Sequence, residues 1–208
     1  MKLYPGRIYH IYNRGNNHQK IFFERKNYFY FIQKMETHLH KHTDILAWCL
    51  MPNHFHWMIK VHDDYASDHY LSSSKNESDT VYRVPPLSRS ISTLLSSYTK
   101  GVNKMYDRNG SLFQQKTKAI DLNSVDSYDE YYPIICFNYI HQNPLKARLV
   151  NRIEDYEFSS FRDYNDKNSD SICNLNLSRY LLDLPKSYEE FLNMSYRMIP
   201  EDLSDKLF

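Results

Sequence analysis

Residues 52–56 read Pro-Asn-His-Phe-His. Side chains alternate along an extended strand, so His54 and His56 share one face and Phe55 takes the other. Their backbone positions lie ~7 Å apart, so both imidazoles can converge on one ion while Phe55 anchors the strand in a core. The same pattern describes two polar residues on the wet side of a half-buried strand, and with 10 histidines in the chain a chance pair is not rare. A second group runs Tyr139-Ile140-His141-Gln142-Asn143-Pro144. Tyr139 and Asn143 are four apart and fall on one face of a helix. A phenol, with a free pKa of ~10, is a usable nucleophile only where its target is polarised. An amide oxygen one turn away can complete a metal site beside it. The plainer alternative packs Tyr139 in the core and uses Asn143 as a cap before Pro144. Tyr132 stands on the same helix face as a rival nucleophile, without a ligand-type partner at the matching spacing.

These residues need elements to hold them. Arg7–Arg14 alternates Ile and Tyr with polar residues and reads as a strand, ended by a turn at Gly15-Asn16-Asn17. Glu24 to about Lys41 reads as a helix with Phe29, Ile32 and Leu39 among its apolar positions. Ile45–Met51 and His54–Val61 read as two strands joined at Pro52-Asn53 into a hairpin. Asp63 to about Thr80 is acidic, serine-rich and poor in apolar residues, the composition of a flexible insertion. Leu87 to about Tyr106 is a helix with Ile91, Leu94, Leu95, Tyr98 and Val102 on one stripe, stopped by Asn109-Gly110. Ser111–Leu122 reads as a strand, and Val125–Asn143 as a long helix ended by Pro144. Tyr156–Tyr164 reads as an aromatic segment packing back on the core, and residues 175–196 hold one or two helical pieces. This order predicts an α+β domain in which helices cover an antiparallel sheet. Residues 1–165 are expected to form that domain, with 166–208 as a helical tail.

Composition narrows the function classes. The chain has 208 residues, and its 19 tyrosines either supply flat apolar bodies with polar tips, a surface type that stacks bases, or reflect a compositional bias of the source. A net charge of +1 gives no global signal for nucleic acid. Locally, Ser88–Ile120 carries Arg89, Lys100, Lys104, Arg108, Lys116 and Lys118 against Asp107, six minus one, or +5. Such a segment either tracks a phosphate backbone or is a solvated helix face. Arg14 is a further candidate for a base or phosphate contact. Cys49, Cys136 and Cys173 form no paired motif and read as reduced thiols, the cytosolic default. No apolar run approaches the ~18 residues needed to span a bilayer. A cytoplasmic protein without membrane contact is expected.

With these residues in place, the chain resembles the HUH single-tyrosine transposases. The HFH pair resembles that superfamily's His-hydrophobic-His motif, and YIHQNP the catalytic helix of its REP-associated tyrosine transposases. GSLFQQKTKAID (110–121), YEFSSF (156–161) and the early Asn13-Arg14-Gly15 resemble three further segments of the group, in the group's order, over about residues 5–165. Lys116 stands where an arginine is common, and the insertion after Asp63 is long. The resemblance implies a sheet of ferredoxin-like, RNA-recognition-motif-like topology. It implies His54, His56 and Asn143 as ligands of Mg²⁺ or Mn²⁺ and Tyr139 as the nucleophile. It further implies single-stranded or hairpin DNA as partner, cleaved and rejoined through a 5′-phosphotyrosine by a monomer or homodimer. Two other readings compete: a catalytically silent nucleic-acid-binding regulator on the same fold, and a metallohydrolase of small phosphoesters.

Overall fold

The computed structural model describes residues 1–66, 86–123, 132–165, 170–201 and 207. Four strands pair antiparallel into one sheet: β1 (Ile8–Arg14), β2 (Thr43–Met51), β3 (His54–Val61) and β4 (Lys118–Asp121), in the order β2-β3-β1-β4. Helix α1 (Arg25–Leu39) lies between β1 and β2 in the chain, and α2 (Pro86–Met105) between β3 and β4. This is the ferredoxin-like arrangement expected from the sequence. It puts the strand bearing His54 and His56 beside β1 in the middle of the sheet.

Period-two alternation sorts the side chains into two cores. Tyr9, Ile11, Phe55, Trp57 and Ile59 face α1 and α2, where they meet Phe31, Met35, Leu94 and Tyr98. Ile8 and Met58 face the other way, toward α3 (Tyr132–Lys146). A bulge between Ile45 and Ala47 turns Leu46 and Ala47 together toward α3. Helices α4 (Leu175–Leu181) and α5 (Tyr188–Ser195) complete this second layer: Asn174 N donates to Ile45 O (2.9 Å), and Phe191 stacks on Phe161 and Tyr164. All three cysteines are free and buried.

The hairpin, both helices flanking it and the returning aromatic segment match the sequence reading, and four details differ. Helix α1 buries Tyr28, Phe31, Met35 and Leu39, leaving Phe29 46% exposed. Only Lys118–Asp121 of the expected 111–122 strand pairs continuously, after an isolated bridge between Phe113 and Gly15. The Asn13 amide holds the residues between by donating to Gln114 O (3.1 Å) and Thr117 Oγ1 (3.0 Å). Helix α3 runs through Pro144 to Lys146, because a proline in the last turn removes one backbone bond and leaves Ala147 N free to reach Asn143 O (2.9 Å). The stop is Arg148 at φ 56°, with Leu149 N on Pro144 O and Arg148 N on Leu145 O closing a Schellman end. Finally, Asp63–Ala66 forms a short 3₁₀ turn, while the rest of the expected insertion and the expected helix start at Val125 lie outside the described residues.

Candidate active site on the α3 face of the sheet

The hairpin turn that presents His54 is gripped from the β1 side. Gly15 N donates to Asn53 O (2.8 Å), and Ile21 N and Phe22 N both donate to Pro52 O (2.8 and 3.2 Å). Gly15 is required there: a Cβ would sit 2.1 Å from the Gln19 carbonyl oxygen. With the turn fixed, alternation does what the sequence predicts. Phe55 is buried against Phe31 and Trp57 on one face, and the rings of His54 and His56 meet on the other, 5.0 Å apart and perpendicular.

Helix α3 crosses that face and delivers Tyr139. Its ring lies 5.5 Å from that of His56, edge-on, and 6.0 Å from that of His10. Asn143 sits one turn on, its amide nitrogen donating to Tyr139 O (2.9 Å), which leaves its amide oxygen as an acceptor. The helix is held at this height by the returning segment. His141 Nε2 meets Ser160 Oγ (2.9 Å), and that hydroxyl accepts from Trp48 N (2.9 Å). Leu50 N on Phe158 O and Ser160 N on Trp48 O bind the same segment along β2.

Burial sets the protonation states. His54 is pushed down to about 4, by burial and then by Arg14, and His56 well below the ordinary imidazole value by burial, His10, His54 and Arg14. Both are neutral near pH 7, as a metal ligand must be. The Tyr139 phenol is raised by burial, with Cys136 and Tyr12 adding to the rise and the Asn143 side chain and Arg14 opposing it. A tyrosine only 5% exposed and held protonated needs nearby positive charge to act as a nucleophile.

Two neutral imidazoles are donors that a divalent cation could take, and both rings are oriented by a partner. His54 Nδ1 lies 2.7 Å from Asn53 Oδ1, and His56 Nδ1 lies 2.9 Å from His10 Nε2. Each ring is therefore anchored by Nδ1 and directs Nε2 elsewhere, the second-layer pattern that orients ligating histidines. Among the described residues no group of three or more His, Cys, Asp or Glu is arranged to hold a metal ion, so His54 and His56 would need a third donor of another kind, for which the Asn143 amide is the candidate. Such a set would leave positions on a cation open for further ligands.

The predicted cations separate. Arg14 lies opposite His54 in the β1–β3 register, and Lys118 opposite Tyr12 in β1–β4, both on the face of the site. Lys116 is exposed in the segment leading into β4. Arg108 donates to Gln19 Oε1 (2.6 Å) and lies over the Phe23 ring. Arg89, Lys100 and Lys104 are exposed on α2, across the sheet from Tyr139. Tyr132 is buried at the start of α3, 2% exposed. The sequence reading missed three residues: His10, Tyr12, whose ring stacks on His10 at 5.0 Å, and Lys146, whose ammonium lies 5.4 Å from the Tyr139 ring centroid. His10 and Tyr12 share the parity of Arg14 on β1, a signal present in the sequence. Lys146 is one heptad beyond Tyr139, but lay past the helix end expected at Pro144.

No family model matches the chain, and no curated protein matches it. A solved structure of a REP-associated tyrosine transposase bound to a REP hairpin superposes with a TM-score of 0.55 at 15% sequence identity, covering 83% of this chain and 87% of that one. The likeness is one of fold. Among the described residues no helix is long and apolar enough to cross a membrane.

Proposed function

We propose that this chain cleaves and rejoins single-stranded or hairpin DNA, with Tyr139 as the nucleophile. The observation that carries the reading is Tyr139 edge-on to His56 on a sheet face where both paired histidines are tied down through Nδ1. His54, His56 and the Asn143 oxygen would hold Mg²⁺ or Mn²⁺, which when bound stabilises negative charge on a non-bridging oxygen of the scissile phosphate.

The chain's own groups do the rest. The Tyr139 oxygen forms a bond to phosphorus as the bond from phosphorus to the 3′ oxygen breaks; the phenol gives up its proton and the 3′ oxygen leaves as a hydroxyl. The phosphate stays on Tyr139 as a 5′-phosphotyrosine, so a 3′ hydroxyl can reverse the step and join strands without another energy source. In-line attack requires the phenol and the leaving oxygen on opposite sides of phosphorus, and the position of α3 over the sheet constrains that angle. Arg14 and Lys146 bring positive charge toward the phenol and the entering phosphate. Lys118 and Arg14, on the same sheet face as Tyr139, would meet the strand at the cut. Arg89, Lys100 and Lys104 would contact only DNA that passes round to the α2 side. A stiff duplex resists the bend that a phosphate needs to reach a helix-borne phenol, which favours single strands.

The test uses oligonucleotides labelled on either side of the cut, with Mn²⁺. The label 3′ of the cut should move to a protein-sized band and the label 5′ of it should run free. Tyr139→Phe keeps the ring and should bind DNA without forming any adduct. A persisting adduct would transfer the role to another residue, Tyr132 first. DNA binding without adduct in the unaltered protein would support a silent binder instead.

A further inference from the structure

Two imidazole nitrogens 2.9 Å apart share one proton: one ring donates, the other accepts. For His54 the partner decides the matter. Asn53 Oδ1 can only accept, so His54 carries its proton on Nδ1 and keeps a lone pair on Nε2. For His56 the partner is another histidine, and the pair has two states. If His10 Nε2 donates, His56 must carry its own proton on Nε2, and that nitrogen is useless to a cation. If His10 Nε2 accepts, His56 holds its proton on Nδ1 and offers the Nε2 lone pair.

We propose that His10 is a positioning residue that holds His56 in the metal-ligating tautomer by accepting a hydrogen bond from its Nδ1. The inference deepens the metal-dependent reading above and rests on it. His10 does not touch the reacting groups. It lies on β1 diagonally across from His56, clamped between the Tyr12 ring at 5.0 Å and the edge of Tyr139 at 6.0 Å. It is wholly buried, and its Nδ1 has no hydrogen-bond partner among the described residues. A side chain chosen for packing alone would not leave a polar atom stranded at the centre of the sheet, where an apolar ring of the same size fits. In the accepting state that stranded atom is an N–H. The stranded group is the cost of having an acceptor face His56. Histidine ligands in general depend on such an outer partner, and its removal typically lowers metal affinity ~10–100-fold.

Two substitutions separate this role from packing. His10→Phe keeps a ring against Tyr12 and Tyr139 but has no acceptor. His10→Gln places an amide oxygen near the position of Nε2 and restores one. Mn²⁺ affinity is measured by calorimetry on the full chain without DNA, beside the metal-free melting temperature. The expected result is a loss of ~10–100-fold in affinity for His10→Phe, with a melting temperature at or above that of the unaltered protein, and recovery to within a few-fold for His10→Gln. Nitrogen chemical shifts of the Mg²⁺-loaded, unaltered protein give a second readout that needs no variant to fold. They should show His56 protonated at Nδ1 and His10 without a proton on Nε2. Unchanged affinity in His10→Phe, equal loss in His10→Gln, or a proton on His10 Nε2 would each overturn the inference. His56→Ala tells this failure from that of the parent reading. If it abolishes Mn²⁺ binding while His10→Phe does not, only the role of His10 falls. If Mn²⁺ binds as well to His56→Ala as to the unaltered protein, the metal site itself is wrong and the role of His10 goes with it.

Discussion

Acid should unfold this protein through its buried histidines, and His141 is the cleanest place to measure the effect. Its ring is wholly buried among Phe137, Phe161 and Tyr164, and its one hydrogen bond goes to Ser160 Oγ. Burial pushes its pKa down to about 3, against an ordinary 6.5. The folded value is depressed, so His141 contributes stability that is complete above about pH 6.5 and is lost as the pH falls toward 3. Between about pH 7.5 and about pH 5 the unfolded chain takes up nearly a full proton at this position while the native chain takes up none, which removes about 2 kcal/mol. An upward shift of one unit in the folded value hardly changes that figure, because pH 5 stays above it. His141→Phe keeps a ring in the aromatic cluster and leaves Ser160 Oγ its bond from Trp48 N. Urea unfolding of both proteins at the two pH values isolates the effect of the one group. At the higher pH the two should lie within about 1–2 kcal/mol of each other, because the hydrogen bond lost and the stranded nitrogen removed act in opposite directions. The variant's loss on acidification should be smaller than the unaltered protein's by about 2 kcal/mol. Equal losses in the two proteins would refute the claim that His141 is neutral in the native state.

Three further outcomes follow from the geometry. His54→Ala and His56→Ala should each abolish Mn²⁺-dependent strand cleavage while far-ultraviolet dichroism stays unchanged; wild-type rates in both would remove them from the ligand set. Gly15→Ala drives a methyl group into the Gln19 carbonyl, so denaturant melts should show a loss of about 1–3 kcal/mol, and cleavage should fall as the Pro52-Asn53 turn shifts. Lys118→Ala should weaken binding to single-stranded DNA and flatten its salt dependence by about one ion, whereas Lys100→Ala, across the sheet, should change both less; the reverse ranking would place the DNA track on α2.

Much of this was readable from residue order, and the failures share a cause. The hairpin was legible because Pro52-Asn53 separates two apolar strands, and the faces of His54 and Phe55 followed from parity alone. The extent of β4 was not, because 111–117 has the composition of a strand but meets β1 in part through a distant side chain, the amide of Asn13. The end of α3 was misplaced because Pro144 breaks a helix only where several backbone bonds remain to be lost. His10 was overlooked for a different reason. Within Ile-Tyr-His-Ile-Tyr it is one polar residue in an alternating strand, and its contact with His56 depends on β3 lying beside β1, which joins residues 46 apart in the chain.

The sheet order has a mechanical consequence. β1 and β3 are its two inner strands, and they carry His10, Arg14, His54 and His56, while Tyr139 rides on a helix laid over them. Inner strands open to solvent last, often only when the whole domain unfolds, whereas helices and edges open in smaller, more frequent excursions. Hydrogen exchange should therefore find the amides of 55–59 among the slowest in the chain and those of α3 faster. The cation-binding side of the reaction would then behave as a fixed anvil, and the phenol as the part able to lift away and return. Departure of the tyrosine with its attached strand would need no loss of order among the groups that hold the ion.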